Sequence, residues 1–292
     1  MFFTTFLLLL FAVPAFGQGK TADQMTMAEK LEIGMRWHNE MAEMLDPFTV
    51  VGNVHYVGAR NIGVYLITTD EGHILLDTGV REMHEGLKAN IQALGFRVED
   101  VEIMLATHAH FDHVQGHEAM RLATGARVLA VGEDAEALRL GQDISPLGFE
   151  GWDPVAEVTT LAHGDTITLG GTVLNAHQIP GHTQGCTVWT TTVIDQGSDF
   201  DIAFMGCAGP NGIVQLRGNE TFPDLIDQTL LGFQRLHGIS PDLWLSNHPL
   251  DEFDGKIEAL KSGQRPLPLL DQQPWEDMVA GLERSFRARL SD

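Results

Sequence analysis

The densest chemistry in this chain lies at His108-Ala-His110-Phe-Asp112-His113, where four metal-ligand side chains fall within six residues. Imidazole nitrogen and carboxylate oxygen together suit a borderline divalent ion. The apolar run Val101–Ala106 just ahead reads as a short strand. On an extended chain, positions two apart point the same way, so His108 and His110 can grip one ion. Asp112 and His113 fall past the strand end, where the chain can turn and face a second. One ion needs more than two protein ligands. Two later histidines sit in similar settings, each just after a strand-like run: His182 in Pro180-Gly181-His182-Thr183, and His248 in Ser246-Asn247-His248-Pro249. The other histidines carry no comparable signal. His38, His73, His84 and His237 read as surface or core, His177 lies inside a strand, and His55, His117 and His163 stand alone.

The elements that must position these residues follow from apolar periodicity. An early helix is expected over Met27–Leu45, then strands near Asn53–Val57, Val64–Thr68 and His73–Leu76, the last running into Leu76-Asp77-Thr78-Gly79. Met83–Leu94 has helical spacing and stops at Gly95. A helix over Gln115–Thr124 and a strand over Arg127–Val131 follow the histidine cluster. The second half opens on strands at Thr166–Leu169, Thr172–Ile179, Thr187–Val193 and Ile202–Met205. It continues with a helix over Leu225–His237 and a strand over Leu243–Ser246, and closes with a helix near Trp275–Leu290. Each half runs mainly strands first, helices after. An α/β four-layer αββα sandwich, two sheets face to face with helices outside, buries both. The candidate ligands would then lie on loops at one rim of the sheets, where function collects.

The 292 residues, 43% of them apolar, can bury one large α/β domain or two packed halves. Against 18 Lys+Arg stand 40 Asp+Glu, a net charge of −22, and no basic run occurs. Nucleic acid and anionic membrane surfaces are therefore excluded as expected partners. The surface reads as a solvated acidic one. The apolar run from Met1 to Phe16 is too short to span a bilayer, and Ala15-Phe16-Gly17 resembles a small-x-small cleavage site. No Lys or Arg precedes the run, so an uncleaved anchor or a buried helix is the alternative. The polar stretch Gln18–Gln24 favours export. The expectation is a signal peptide over 1–17, one domain over 18–292, and a periplasmic or secreted protein without stable membrane insertion after cleavage. Cys186 and Cys207 are too few for a cysteine-rich structural zinc site, and export would permit a disulfide between them. The chain holds neither Ser-x-x-Lys nor Gly-x-Ser-x-Gly, so those serine-nucleophile routes have no support.

His-x-His-x-Asp-His resembles the signature of the metallo-β-lactamase superfamily. The resemblance covers roughly Phe48 to Pro249 and includes Leu76-Asp77-Thr78-Gly79, Pro180-Gly181-His182-Thr183 and His248-Pro249. Within the superfamily the chain looks most like the third subclass of class B β-lactamases. The stretches carrying this are Val50–Gly58, Gly181–Trp189, Leu169-Gly170-Gly171-Thr172 and Leu174-Asn175-Ala176-His177. The resemblance implies two zinc ions, the first on His108, His110 and His182, the second on Asp112, His113 and His248. It implies that Asp77 orients ligands instead of binding metal. It implies hydrolysis of a small-molecule β-lactam amide by a metal-bound hydroxide that Asp112, the candidate catalytic residue, orients. A lactone, thioester or other small-ester hydrolase with the same metals is the alternative. One departure narrows the branch: many relatives carry Gly-Asp, with a bridging carboxylate, where this chain has Gly206-Cys207. Cys207 either supplies a zinc thiolate, as in another β-lactamase subclass, or pairs with Cys186. The presence of just these two cysteines in an exported chain favours the pair.

Overall fold

The computed structural model describes residues 21, 24–30, 41–149, 151–249, 253, 255–265 and 267–291. The expected signal peptide lies outside them, as do residues 31–40 of the expected early helix. That helix ends before Leu45. Met44 instead bridges Ala59 in antiparallel register, and the Leu45 N–H donates to the Gly58 carbonyl at 3.2 Å. Pro47 follows closely, and the residue before a proline avoids helical backbone.

The chain then runs β1 (Phe48–Val51), β2 (Val54–Tyr56), β3 (Tyr65–Thr69), β4 (Gly72–Leu76), α1 (His84–Ala93), β5 (Val101–Leu105), α2 (Phe111–Val114), α3 (His117–Thr124), β6 (Arg127–Val131), α4 (Glu133–Leu140) and β7 (Val158–Leu161). The second half follows as β8 (Thr166–Leu169), β9 (Thr172–Gln178), β10 (Thr187–Asp195), β11 (Ser198–Met205), α5 (Leu225–Leu236), β12 (Leu243–Ser246), α6 (Ile257–Lys261) and α7 (Trp275–Ser291). β1 to β7 form one sheet in sequence order; the other has the order β12-β11-β10-β9-β8. β4 to β7 are parallel to one another. β9, β11 and β12 share one direction, with β10 antiparallel between β9 and β11.

Successive side chains along the strands point to opposite faces of each sheet, and in β2 to β6 both faces are largely buried. Ile67, Ile74, Leu76, Ile103, Leu105 and Leu129 point between the sheets, where they meet Leu174, Trp189, Ile202, Phe204 and Leu245. Their sequence neighbours Leu66, Leu75, Met104 and Val128 point outward and pack under Leu87, Ile91, Met120 and Leu138 of the helices. On the far face Val188 and Ala203 pack under Phe233, Leu236, Val279 and Phe286. Apolar burial on both faces of each sheet is the main force holding this order of helices, sheet, sheet and helices.

Besides the short helices α2 and α6 (five residues, Ile257–Lys261), three elements were not expected from the sequence. β1 is four residues long, β7 exposes its two threonines, and α4 buries mainly Ala135, Ala137 and Leu138 amid acidic residues. Each is too short or too polar to show a clear period by itself. The helix expected over Gln115–Thr124 is present over His117–Thr124, starting just after Gly116. A separate turn, α2, precedes it and carries Asp112 and His113. β11 starts at Ser198, earlier than expected, because Gln196 and Gly197 take positive φ (49° and 83°) and close a tight hairpin with β10.

Cys186, just before β10, and Cys207, just after β11, are joined as a disulfide with a Cα–Cα distance of 6.3 Å. Neither sulfur is a free thiolate, so Cys207 is not a metal ligand. The bridge closes a loop with a sequence separation of 21, for which chain entropy gives a stabilisation of roughly 3 kcal/mol. The paired Cys186→Ser, Cys207→Ser variant is expected to melt about 5–10 °C lower than the oxidised protein. Reductant should bring the parent down to the same value. An unchanged melting temperature would mean that the loop is already ordered without the bridge.

Candidate metal centre

The candidate ligands sit at strand ends on one rim. β5 ends at Leu105, and a short loop in which His110 has extended backbone (φ −114°, ψ 156°) leads into α2. His108 and His110 thus project from the loop between β5 and α2, whereas Asp112 and His113 project from the helical turn. β9 leads to the turn bearing His182. There Gly181 takes φ +146°, and a Cβ on it would lie 2.9 Å from Thr229 Oγ1 and 3.2 Å from Gly209 Cα. Only glycine lets α5 pack this close to the turn. β12 ends at Ser246, two residues before His248.

These loops bring the sequence-expected residues together. The rings of His108, His110 and His182 form a triangle with centroid separations of 4.7, 4.8 and 4.7 Å. Each offers one nitrogen, all within 4.8 Å of one another. His108, Asp112 and His113 form a second group by the same measure. His113 Nε2 lies 3.0 Å from His248 Nε2, and Asp112 Oδ2 lies 3.4 Å from each. All of these residues except His113 line a cavity of about 340 Å³, together with Phe111, Leu147 and Phe149.

The hydrogen bonds behind the rings show that this donor set fits metal ions. His113 Nδ1 donates to Asp77 Oδ2 at 3.1 Å, and His248 Nδ1 donates to the Asn61 carbonyl at 3.0 Å. In the neutral rings both Nε2 atoms are therefore bare lone pairs. They face each other and a carboxylate oxygen, which only a positive charge among them can reconcile. His110 Nε2 is engaged by Ser145 Oγ at 2.9 Å, which turns Nδ1 to the triangle. His108 Nδ1 is 3.3 Å from Thr107 Oγ1 and 3.4 Å from Asn247 Nδ2, which frees Nε2. One anchored nitrogen and one free nitrogen per ring is the arrangement metal-ligating histidines need.

Electrostatics agree. Burial, followed by repulsion among the rings, holds His108 well below the usual imidazole range. Burial is also the leading cause that brings His110 and His248 down to about 4 and His182 to about 3. At neutral pH these rings keep their lone pairs, as metal binding requires. For His113 burial works in the same direction, but the Asp112 and Asp77 carboxylates outweigh it and push the ring up to about 10. Burial would raise Asp112, yet His113 and its neighbouring histidines hold it far below the usual carboxylate range. Without a metal, the proton on His113 meets the need for positive charge that a divalent ion would meet when bound.

Asp77 does not join either ligand group. At the end of β4 it takes φ 63°, a conformation that aspartate tolerates better than most residues. Its Oδ1 accepts the Thr107 N–H and its Oδ2 accepts the Thr107 hydroxyl, both at 2.7 Å, in addition to His113. Across the sandwich, Trp189 Nε1 donates to the Ala106 carbonyl at 3.0 Å, and the Thr187 N–H donates to the Thr107 carbonyl at 2.8 Å. The second sheet thereby holds the strand end from which His108 projects.

Sequence reasoning passed over Asp134, which lies fully buried on α4. One carboxylate accepts from the Ala109 N–H at 2.9 Å, the Thr183 hydroxyl at 2.7 Å and the Gly185 N–H at 2.9 Å. It thus ties the His108–His110 loop to the His182 loop. Burial, partly opposed by these three donors, pushes Asp134 up to about 6. His117 was also left without a role; it lies buried beneath the site with Nδ1 2.8 Å from Thr78 Oγ1.

Comparison with known proteins places this geometry. A family model described as the metallo-beta-lactamase superfamily matches residues 57–245, well over half of the chain. The chain belongs to this superfamily. Among solved structures, this metallo-hydrolase is similar to the FEZ-1 metallo-beta-lactamase of Legionella gormanii, at 30% identity and a TM-score of 0.79, over 86% of this chain and 97% of that one. It is also similar to BJP-1, a subclass B3 metallo-beta-lactamase of Bradyrhizobium japonicum, at 31% identity and a TM-score of 0.77, over 86% and 96%. Among curated relatives it matches a hydroxyacylglutathione hydrolase of Cereibacter sphaeroides, 37% identical over 95 residues, 32% of this chain and 31% of that one. The chain therefore spans about a third of that hydrolase's length.

The two loops joined by Asp134 should lose registry when the carboxylate is removed. Asp134→Ala is expected to weaken zinc binding by roughly 10–100-fold, measured by competition with a chromophoric chelator, and Asp134→Asn by less. Unchanged affinity in both variants would reduce Asp134 to a buried structural acid.

Proposed function

We propose that the mature chain, residues 18–292 behind an export leader over 1–17, is a zinc β-lactamase acting in the periplasm or outside the cell. His108, His110 and His182 hold one zinc ion, and Asp112, His113 and His248 hold a second. Bound there, the two ions would supply Lewis acidity and lower the pKa of water. The chain's own groups do the rest. The cavity admits a small molecule beside the ligands, and Phe111, Leu147 and Phe149 give it an apolar wall that limits stray water. Asp112 orients the attacking water through its carboxylate. It passes a proton from that water toward the departing lactam nitrogen. The water adds to the carbonyl carbon, the carbon–nitrogen bond breaks, and the proton ends on nitrogen.

The observation that carries the β-lactam reading over the ester and thioester readings is the end of β11. Gly206 lies against the Thr187 carbonyl and leaves no room for a side chain. Cys207 is taken up by its disulfide. No carboxylate reaches the ligands from this strand end, where other branches of the superfamily place one. The β-lactamase structures match this chain over nearly their whole length, which supports the same reading. The 95-residue likeness to hydroxyacylglutathione hydrolase keeps a glutathione thioester as the second candidate.

Purified mature protein should open a chromogenic cephalosporin, lose that activity to a chelator and regain it with zinc. A kcat/KM for an acylglutathione or a lactone far above that for every penicillin, cephalosporin and carbapenem would transfer the assignment to the other branch. Elemental analysis should find two zinc ions per chain in the parent and one in His248→Ala. A variant that still holds two would remove His248 from the ligand set.

A further inference from the structure

The loop after α4 turns around one buried carboxylate. The Asp143 side chain is only 1% exposed. Its Oδ1 accepts the Ser145 N–H and its Oδ2 accepts the Phe149 N–H, both at 2.8 Å. The Ser145 hydroxyl also bonds this carboxylate. The same hydroxyl oxygen accepts the Leu147 N–H at 3.1 Å and lies 2.9 Å from His110 Nε2. A hydroxyl has one hydrogen to give. An ionised carboxylate can only accept, whereas a neutral imidazole nitrogen either donates or accepts according to the tautomer. The hydroxyl hydrogen therefore goes to Asp143, and Ser145 Oγ accepts from His110 Nε2–H as it does from Leu147. That leaves the lone pair of His110 on Nδ1, the nitrogen turned to His108 and His182. Asp143 Oδ1 is itself 3.9 Å from His110 Nε2, too far to bond it directly. The carboxylate reaches the ring through the hydroxyl.

The metal-free triangle opposes this tautomer. One nitrogen each from His108, His110 and His182 converge within 4.8 Å of one another, and three lone pairs facing one another repel. A proton on His110 Nδ1 would relieve that repulsion, and it would also block an ion, which needs a bare nitrogen. We propose that Asp143 is a positioning residue for the first metal ion: through the Ser145 hydroxyl it holds the His110 proton on Nε2 and keeps the Nδ1 lone pair turned to the triangle. The role rests on the reading of His110 as a metal ligand. It also joins the metal to the cavity wall, because the carboxylate that sets the tautomer closes the loop from which Leu147 and Phe149 line the cavity. On the same loop, Lys30 Nζ donates to the Leu147 carbonyl at 2.6 Å and to the Gly148 carbonyl at 3.3 Å. Those bonds order the loop without touching the hydroxyl or the ring, so Lys30 supplies a control for loop order alone.

Two measurements on the full mature chain test this role. Nitrogen NMR of the histidine rings, with the His110 signals assigned by their loss in His110→Gln, reads which nitrogen carries the proton. Competition with a chromophoric chelator reads zinc affinity. In the metal-free parent the His110 proton should sit on Nε2, and zinc should shift the Nδ1 signal. Asp143→Asn offers an amide that can donate to Ser145 Oγ, which turns the hydroxyl hydrogen toward Nε2. The proton should then move toward Nδ1, and one of the two zinc ions should bind roughly 10–100-fold more weakly. Ser145→Ala should weaken the same ion, and adding Asp143→Asn to it should cost nothing further, because the carboxylate acts through the hydroxyl. Lys30→Met should leave both the tautomer and zinc affinity as in the parent. Losses that add in the double variant overturn the proposal, as does an equal loss in Lys30→Met, since either is the signature of loop order alone. Should Asp143→Asn fail to fold, the parent and Ser145→Ala decide: a proton on Nδ1 in the metal-free parent, or unchanged zinc affinity in Ser145→Ala, also overturns it. The ligand reading is judged separately. A parent whose His110 Nδ1 signal ignores zinc would end that reading and leave the tautomer result standing.

Discussion

Three lone pairs meet where His113 Nε2, His248 Nε2 and Asp112 Oδ2 come within 3.0–3.4 Å of one another. That contact is tenable only with positive charge among them, and much of the chain serves to keep it in place. Asp77 and the Asn61 carbonyl hold the far nitrogens of the two rings. Asp77 in turn is locked to Thr107, the residue before His108. The second ligand group is therefore fixed by the same short network that fixes the first. Removing any of these partners would leave a buried polar group unmet and free a ring to turn.

The sandwich makes this network possible. Parallel strands in the first sheet and co-directional strands in the second deliver their carboxyl ends to one rim, and the inter-sheet core holds the two rims in registry. Trp189 is fully buried between the sheets, yet its indole N–H reaches the carbonyl of Ala106. One residue thus couples the packing of the core to the placement of His108. The disulfide between Cys186 and Cys207 braces the second sheet beside the cavity, and Arg289 holds the loop that follows it. Rigidity at the metal centre comes from hydrogen bonds among buried groups, and the cavity's other wall is built from loops.

Much of the site was legible in the residues alone. Four ligand-type side chains in six positions after an apolar run are not what packing alone selects, and His182 and His248 each follow a strand-like run into a turn. The strands with a marked apolar run, β3 to β6, β9, β10 and β12, were found near their observed bounds, and β11 in its C-terminal half. The misses share a cause. β1, β7 and α4 have too few buried positions to show a period, although they complete the first sheet and carry Asp134. The turn α2 was missed because four residues are too few to show a period.

The sequence by itself determined the ligand types, their order, and the change from Gly-Asp to Gly-Cys at Gly206-Cys207, because these are matters of chemical identity at fixed spacing. Only the tertiary structure decided which nitrogen of each histidine is free, because that depends on Asp77, Asn61, Ser145 and Asn247, some of them more than a hundred positions away. It alone revealed Asp134 tying two ligand loops together and Arg289 holding three carbonyls of the loop after β11. A carboxylate and a guanidinium look alike anywhere in a sequence, and their roles are set by burial and by the partners that folding brings to them.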